Sequence, residues 1–168
     1  AVRVVSAVSD MSLYIEQPCE TYEECRVVRD HSPHPMILDE CMDSLQAVLR
    51  GYQERAMDLI NLKISRMGGL TKSRTIRDVC VSLGIVMTIE DTWGGEIGDA
   101  AIAHLAHSTS SNFHFQSSAF HEYATHPIAA GGPIIKDGFM AMSDAPGLGV
   151  EPNWDLFGAP IASISAKT

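Results

Sequence analysis

The sequence predicts an α/β fold built on a parallel sheet. Apolar segments of strand length alternate with segments of helical period as far as residue 116. The loops between them are a few residues long, a pattern that demands right-handed crossovers between parallel strands. Three strand ends also carry charge at even spacing. Glu16 to Asp39 is 23 residues and Asp39 to Lys63 is 24, which suits one strand–loop–helix unit repeated.

Residues 1–10 read as the tail of a helix, with Val2, Val4, Val5 and Val8 before Asp10. Ser12 to Glu16 is a short strand stopped by Pro18. Thr21-Tyr-Glu-Glu opens a helix with a capping-box pattern, and Pro33 and Pro35 end it near His31. Pro35 to Asp39 is the second strand. Ser44 to Ala56 is helical, with Leu45, Val48, Leu49, Tyr52 and Ala56 on one buried face. Leu59 to Ile64 is the third strand, followed by a turn over Gly68-Gly69. Leu70 to Leu83 is a helix closed by Gly84. Ile85 to Glu90 is the fourth strand, Glu96 to His107 an Ala-rich helix, and Phe113 to Gln116 a fifth strand. Beyond residue 120, Pro127, Gly131-Gly132-Pro133, Pro146-Gly147, Gly149 and Pro152 break the pattern into loops around one hairpin-like stretch, Lys136 to Met140.

Composition narrows the function classes. With 168 residues, 45% of them hydrophobic, the chain can bury one real core. A net charge of −9 argues against a nucleic-acid binder, which needs clustered Lys and Arg. No apolar run approaches the ~20 residues of a membrane span, and no basic region precedes an apolar stretch at the start. Cys19, Cys25, Cys41 and Cys80 show neither a CxxC pair nor zinc spacing, which reads as reduced thiols in a cytoplasmic protein. The chain opens at Ala1 without Met, which suggests an excerpt of a longer protein.

In parallel α/β architectures the carboxyl ends of the strands share one face, and that face carries the site. Glu16, Asp39, Lys63 and Asp91 are expected to converge there. Two carboxylates at adjacent strand ends suit a hard divalent cation such as Mg²⁺. A lysine beside such a cation is expected to have a lowered pKa and to act as a general base. No Gly-rich phosphate loop follows the first strand, which weakens a nucleotide-binding reading.

Ile15-Glu-Gln-Pro18, Leu38-Asp-Glu40, Asn61-Leu-Lys-Ile-Ser-Arg-Met-Gly-Gly-Leu70 and Pro146-Gly-Leu-Gly-Val150 resemble the mandelate racemase/muconate lactonizing enzyme branch of the enolase superfamily. The resemblance covers nearly the whole chain. It implies the C-terminal portion, strands four to eight, of a (β/α)7β TIM-type barrel. Residues 1–120 would be partial barrel, and residues 121–168 an extension that in the family packs back on the barrel and a capping domain. Carried over by motif, Glu16 and Asp39 match Mg²⁺ ligands, Glu40 takes a weaker ligand role, and Lys63 matches the acid/base lysine. The family pattern also holds a third metal carboxylate and a Lys-x-Lys base on earlier strands, absent from these residues. The chain alone is therefore expected to be inactive, and the full-length protein a homo-oligomer.

Ile89-Glu-Asp-Thr-Trp-Gly-Gly95 and Gln116-Ser-Ser118 look most like enzymes acting on proline derivatives, the cis-3-hydroxy-L-proline dehydratases first and hydroxyproline-betaine epimerases next. Asp91 could pair with a substrate ammonium. Trp93 could offer a cation–π face of ~0.5–2 kcal/mol to a cyclic amine. The implied reaction is loss of the Cα proton and then of the 3-hydroxyl. Alternatives are racemisation or epimerisation of a related amino acid or betaine, and a non-catalytic fragment that needs a complementary half. Blander roles fit the remaining polar residues. Glu90 reads as structural, as does Cys19 as a small buried thiol. His104 and His107 read as surface or core filler, His121 and His126 as loop residues without a named partner. Lys72, Arg74, Arg77 and Asp78 form a solvated helix face.

Overall fold

A computed structural model describes residues 1–91, 93–142 and 144–164; the last residues of the expected extension, 165–168, lie outside them. Five parallel strands run in sequence order: β1 (Ile15–Glu16), β2 (Met36–Leu38), β3 (Leu59–Lys63), β4 (Val86–Glu90) and β5 (His114–Ser117). Helices α1 (Val2–Ala7), α2 (Tyr22–Asp30), α3 (Leu45–Gln53), α4 (Ile64–Met67), α5 (Leu70–Leu83) and α6 (Gly95–His107) fill the connections. The first strand is shorter than the sequence suggests because it pairs only with β2, so residues 12–14 find no ladder.

Strand alternation divides the side chains between two faces. Met36, Leu38, Ile60, Leu62, Met87 and Ile89 turn outward into the core under the helices. The opposite parity carries Glu16, Asp39, Asn61, Lys63, Thr88 and Glu90. That inner face is concave. Tyr14, just before β1, and Phe115 of β5 sit at the two edges of the sheet, yet their ring centroids are 5.1 Å apart. In a flat sheet, strands spaced ~4.8 Å apart would hold those edges almost 20 Å apart.

Local chemistry explains the ends of the helices. Thr21 and Glu24 form the full capping box on α2, and Ser44 accepts from the Ala47 N–H at the start of α3. Helix α3 stops at Gln53, earlier than its periodicity implies, and Tyr52 lies 45% exposed. Gly51 takes the inward position instead, where Met57 Sδ lies 3.0 Å from the place a Cβ would occupy. The turn expected at Gly68-Gly69 is preceded by the single-turn helix α4, which starts directly on Lys63 and ends at Gly68 with φ 87°.

The tail lies against α6. Glu96 accepts from the Ile128 and Ala129 N–H groups at 2.9 and 3.3 Å, and His104 Nε2 lies 3.2 Å from the Leu148 carbonyl. Ala129–Ala130 (β6) pairs with Glu151–Pro152 (β9), and Ile134–Lys136 (β7) forms a hairpin with Phe139–Ala141 (β8). Asp137 and Gly138 both have positive φ there, the backbone that a two-residue hairpin turn requires.

Arg77 departs from the solvated face expected of α5. It is buried and donates to the Ser108 carbonyl and to the Ser108 and Thr109 hydroxyls, tying α5 to the end of α6. Arg77→Ala strands those acceptors, and the expected cost is ~1–3 kcal/mol, read as a lower denaturant midpoint. Burial pushes the Cys25 thiol up to about 11 and the Cys80 thiol to about 12. At a pH of about 8, a thiol reagent should therefore reach half-buried Cys19 and, more slowly because burial raises its thiol too, Cys41, with Cys25 and Cys80 reacting only after denaturation.

Candidate active site

Because β1 to β4 are parallel and in order, Glu16, Asp39, Lys63 and Glu90 leave the same end of the sheet from four consecutive strands. Asp39 is 2% exposed, and two cations hold it. Lys63 Nζ lies 2.5 Å from Oδ2, and Arg66 Nη1 lies 2.5 Å from Oδ1 and 3.1 Å from the Asp39 carbonyl. The α4 turn swings Arg66 back over the strand ends. Glu16 accepts from Asn61 Nδ2 at 2.9 Å, and Gln17, at φ 34°, accepts the Asp39 N–H through its side-chain oxygen at 2.8 Å. Glu40 is the outermost carboxylate, 3.4 Å from Lys63 and 3.6 Å from Arg66, with more than half of its side chain exposed.

Glu90 is the member that sequence reasoning passed over in favour of Asp91. It is in register with Lys63 and 3.4 Å from its amine. The signal was available: Glu90 shares the parity of Thr88, and Lys63 that of Asn61. Asp91 begins the next loop. It accepts from the Ser65 N–H at 3.0 Å and from the Ser65 hydroxyl, so this loop is anchored two residues beyond Lys63. Trp93 is 77% exposed and packs against Phe120 and Tyr123 at centroid distances of 5.1 and 6.1 Å. His121, expected to lack a partner, is held by Asp99 of α6.

The charges do not balance. Four carboxylates, Glu16, Asp39, Glu40 and Glu90, face two cations, Lys63 and Arg66. Burial, and then the charge of Asp39, raises the pKa of Glu16. Burial likewise raises Glu90; Asp39 adds to this against the opposing pull of Lys63. Burial also works against ionised Asp39, but hydrogen bonds from Lys63 and Arg66 overcome it and hold that carboxyl below its usual range. For Lys63, burial favours the neutral amine, yet the Asp39 hydrogen bond and the Asp39 and Glu90 charges win. The protein groups on their own therefore raise the lysine pKa; the lowering expected from the sequence rests on a bound cation.

Among the described residues, no group of three or more His, Cys, Asp or Glu side chains is arranged to hold a metal ion. The donor chemistry nevertheless fits the protein side of a Mg²⁺ centre. Glu16 and Asp39 offer hard oxygens, the cluster carries excess negative charge, and Asn61 Oδ1 beside Glu16 is buried with no hydrogen-bond partner among the described residues.

The shifts fix a pH dependence. Raised carboxyls such as Glu16 and Glu90 favour the fold when protonated, and that stability is lost as pH rises through their folded-state pKa values. Asp39 acts oppositely and loses its contribution only below the ordinary carboxylate range. His114, whose pKa burial lowers, opposes the raised carboxyls as pH falls. The Glu16 part is therefore isolated by substitution: in chelator, Glu16→Gln should raise the melting temperature more at a pH of about 7.5 than at about 5.

The enolase C-terminal domain-like family model matches residues 1–156. A cis-3-hydroxy-L-proline dehydratase from Roseibium aggregatum is 53% identical over 165 residues, 98% of this chain and 45% of that protein. A D-galactonate dehydratase family member from Enterococcus gallinarum is 30% identical, over 83% of this chain and 35% of its own length. A crystal structure of a mandelate racemase/muconate lactonizing enzyme from Roseovarius nubinhibens ISM superposes with TM-score 0.91 at 42% identity, covering 96% of this chain and 44% of that one. An enolase superfamily member from the same organism, complexed with magnesium, gives 0.89 at 36% identity, over 98% of this chain and 45% of its own. The chain spans less than half the length of these relatives. On this sequence match, and on a parallel sheet whose strand ends gather carboxylates around a lysine, the chain belongs to the enolase C-terminal domain-like family.

Proposed function

We propose that this chain supplies the lysine half of the active site of a Mg²⁺-dependent hydro-lyase acting on a hydroxyproline of the cis-3-hydroxy-L-proline type. The observation that carries this reading is the junction of Lys63 with Asp39 beside Glu16, in a chain 53% identical to a dehydratase of that name. Glu16 and Asp39 would hold the cation, with Glu40 at its outer edge. Bound there, the cation supplies positive charge to a substrate carboxylate as the neighbouring carbon loses its proton.

The chain's own residues contribute the lysine part of the proton chemistry. Lys63, as the neutral amine, takes the Cα proton. The released electron pair forms the Cα–Cβ double bond as the 3-hydroxyl leaves as water, taking up the proton that Lys63 removed and so returning the amine to its neutral form, and the ring product tautomerises to a cyclic imine. Neutral Lys63 has to give up its pairing with Asp39, and a cation on that carboxylate would weaken the very contact that raises the amine's pKa. Glu90, 3.4 Å away and biased towards its protonated form, is placed to exchange a proton with the amine. Asp91 and Trp93, on the loop beyond β4, would face the substrate ammonium and ring. A small-molecule amino acid as substrate and a homo-oligomeric whole protein belong to the same proposal, as does a tail that packs on a capping domain.

The test is a chimera in which this chain replaces the matching segment of the Roseibium aggregatum dehydratase. Incubation with cis-3-hydroxy-L-proline and Mg²⁺ in D₂O should yield the cyclic imine. Chelation should stop it, and Lys63→Ala should lower turnover by ~10²–10⁴-fold, the usual range for a positioned acid/base. Deuterium at Cα without elimination would make the chain an epimerase or racemase instead. A folded chimera that does neither would overturn the reading.

A further inference from the structure

Asp99 is a fully buried carboxylate that the proposed chemistry leaves unused. It lies on α6, outside the Lys63 cluster, and is 0% exposed. Its Oδ2 accepts twice from one residue, from the His121 N–H at 2.8 Å and from the ring at Nδ1, 2.5 Å away. Its Oδ1 has no hydrogen-bond partner among the described residues. Burying a carboxylate for a single partner is costly, so the arrangement fixes His121 in both main chain and ring.

His121 sits within the 3-10 turn Phe120–Tyr123, which follows β5. The flanking residues Phe120 and Tyr123 lie 6.1 Å apart, and each packs on Trp93 from the loop after β4. Those two loops leave the carboxyl ends of adjacent strands, on the side where Lys63 lies. At its base the β4 loop is anchored to Ser65 through Asp91. At its far end it runs into α6, the helix that carries Asp99. The pair therefore couples both loops to one rigid helix and holds three rings as a single wall. Trp93 is 77% and Tyr123 73% exposed, so their ring faces remain available to a ligand.

We propose that Asp99 and His121 are positioning residues that set the Trp93–Phe120–Tyr123 wall, and that this wall selects ligands carrying a positive charge on a ring nitrogen. The proposal deepens the function above by naming what distinguishes its substrate from a neutral ring acid. A π-face attracts a cation by its quadrupole and gives a neutral ring only contact area, so the wall contributes to selectivity more than to affinity.

The test uses the chain itself with Trp154→Phe, so that Trp93 alone reports by fluorescence. It is titrated, with Mg²⁺ present, with L-proline betaine and separately with cyclopentanecarboxylate. Both ligands carry a ring and a carboxylate, and only the first carries ring charge. The betaine should quench at about fivefold lower concentration or less, a ratio within the range of one cation–π contact. His121→Ala should bring that preference close to one, and His121→Asn, whose amide can donate to Asp99, should restore it. A merely structural role predicts that both ligands weaken together, and that result overturns the proposal. So does a preference unchanged in His121→Ala, or no Trp93 response to betaine. If His121→Ala fails to fold, Phe120→Leu with Tyr123→Leu leaves the pair intact and must abolish the preference. Turnover does not enter this readout, so loss of selectivity and failure of the dehydratase reading are separable.

Discussion

The site depends on one buried charge. Asp39 ends a strand whose other residues are wholly apolar, and an ionised carboxylate in that position is tolerated only with charged or strongly hydrogen-bonded partners. The sheet supplies them from two directions. Lys63 comes from the next strand at matching depth and Arg66 from the turn that follows it, while the Gln17 side-chain oxygen accepts the Asp39 backbone N–H and fixes the strand end. Removing either cation leaves a desolvated charge behind, which gives the strand ends a fixed geometry before any ligand arrives.

That geometry comes from backbone rules more than from side-chain preference. Parity along each strand sends Asn61 and Lys63 inward while Ile60 and Leu62 pack under the helices. Parallel pairing places Lys63 opposite Glu90. The left-handed Gly68 ends α4 after one turn, which brings Arg66 within reach of Asp39 where a continuing helix would carry it away. Each step is local, and together they draw four acids and two bases to one rim.

Much of this was legible in the sequence, because strand–helix alternation and regular charge spacing are properties of short segments. The strands fall within a few residues of their expected bounds, and the capping box at Thr21 and the hairpin at Asp137-Gly138 form as their residues imply. What escaped depends on distance across the fold. Arg77 looks like any exposed helix charge until α6 ends beside it. His121 has no partner in its own loop, because Asp99 lies 22 residues earlier on a helix. Tyr52 fits the helical period, yet α3 ends so soon that Gly51 takes the packed position. The lysine's electrostatics were legible only as a sum, and without a cation in that sum the carboxylates around Lys63 decide its sign.

The rings of Tyr14 and Phe115 meet across the hollow of the sheet near its amino-terminal edge. With Tyr14 47% and Phe115 43% exposed, this contact ties the two edge strands together without sealing the hollow. The curvature that turns the inner face towards Lys63 therefore rests partly on one pair of rings far from any charge.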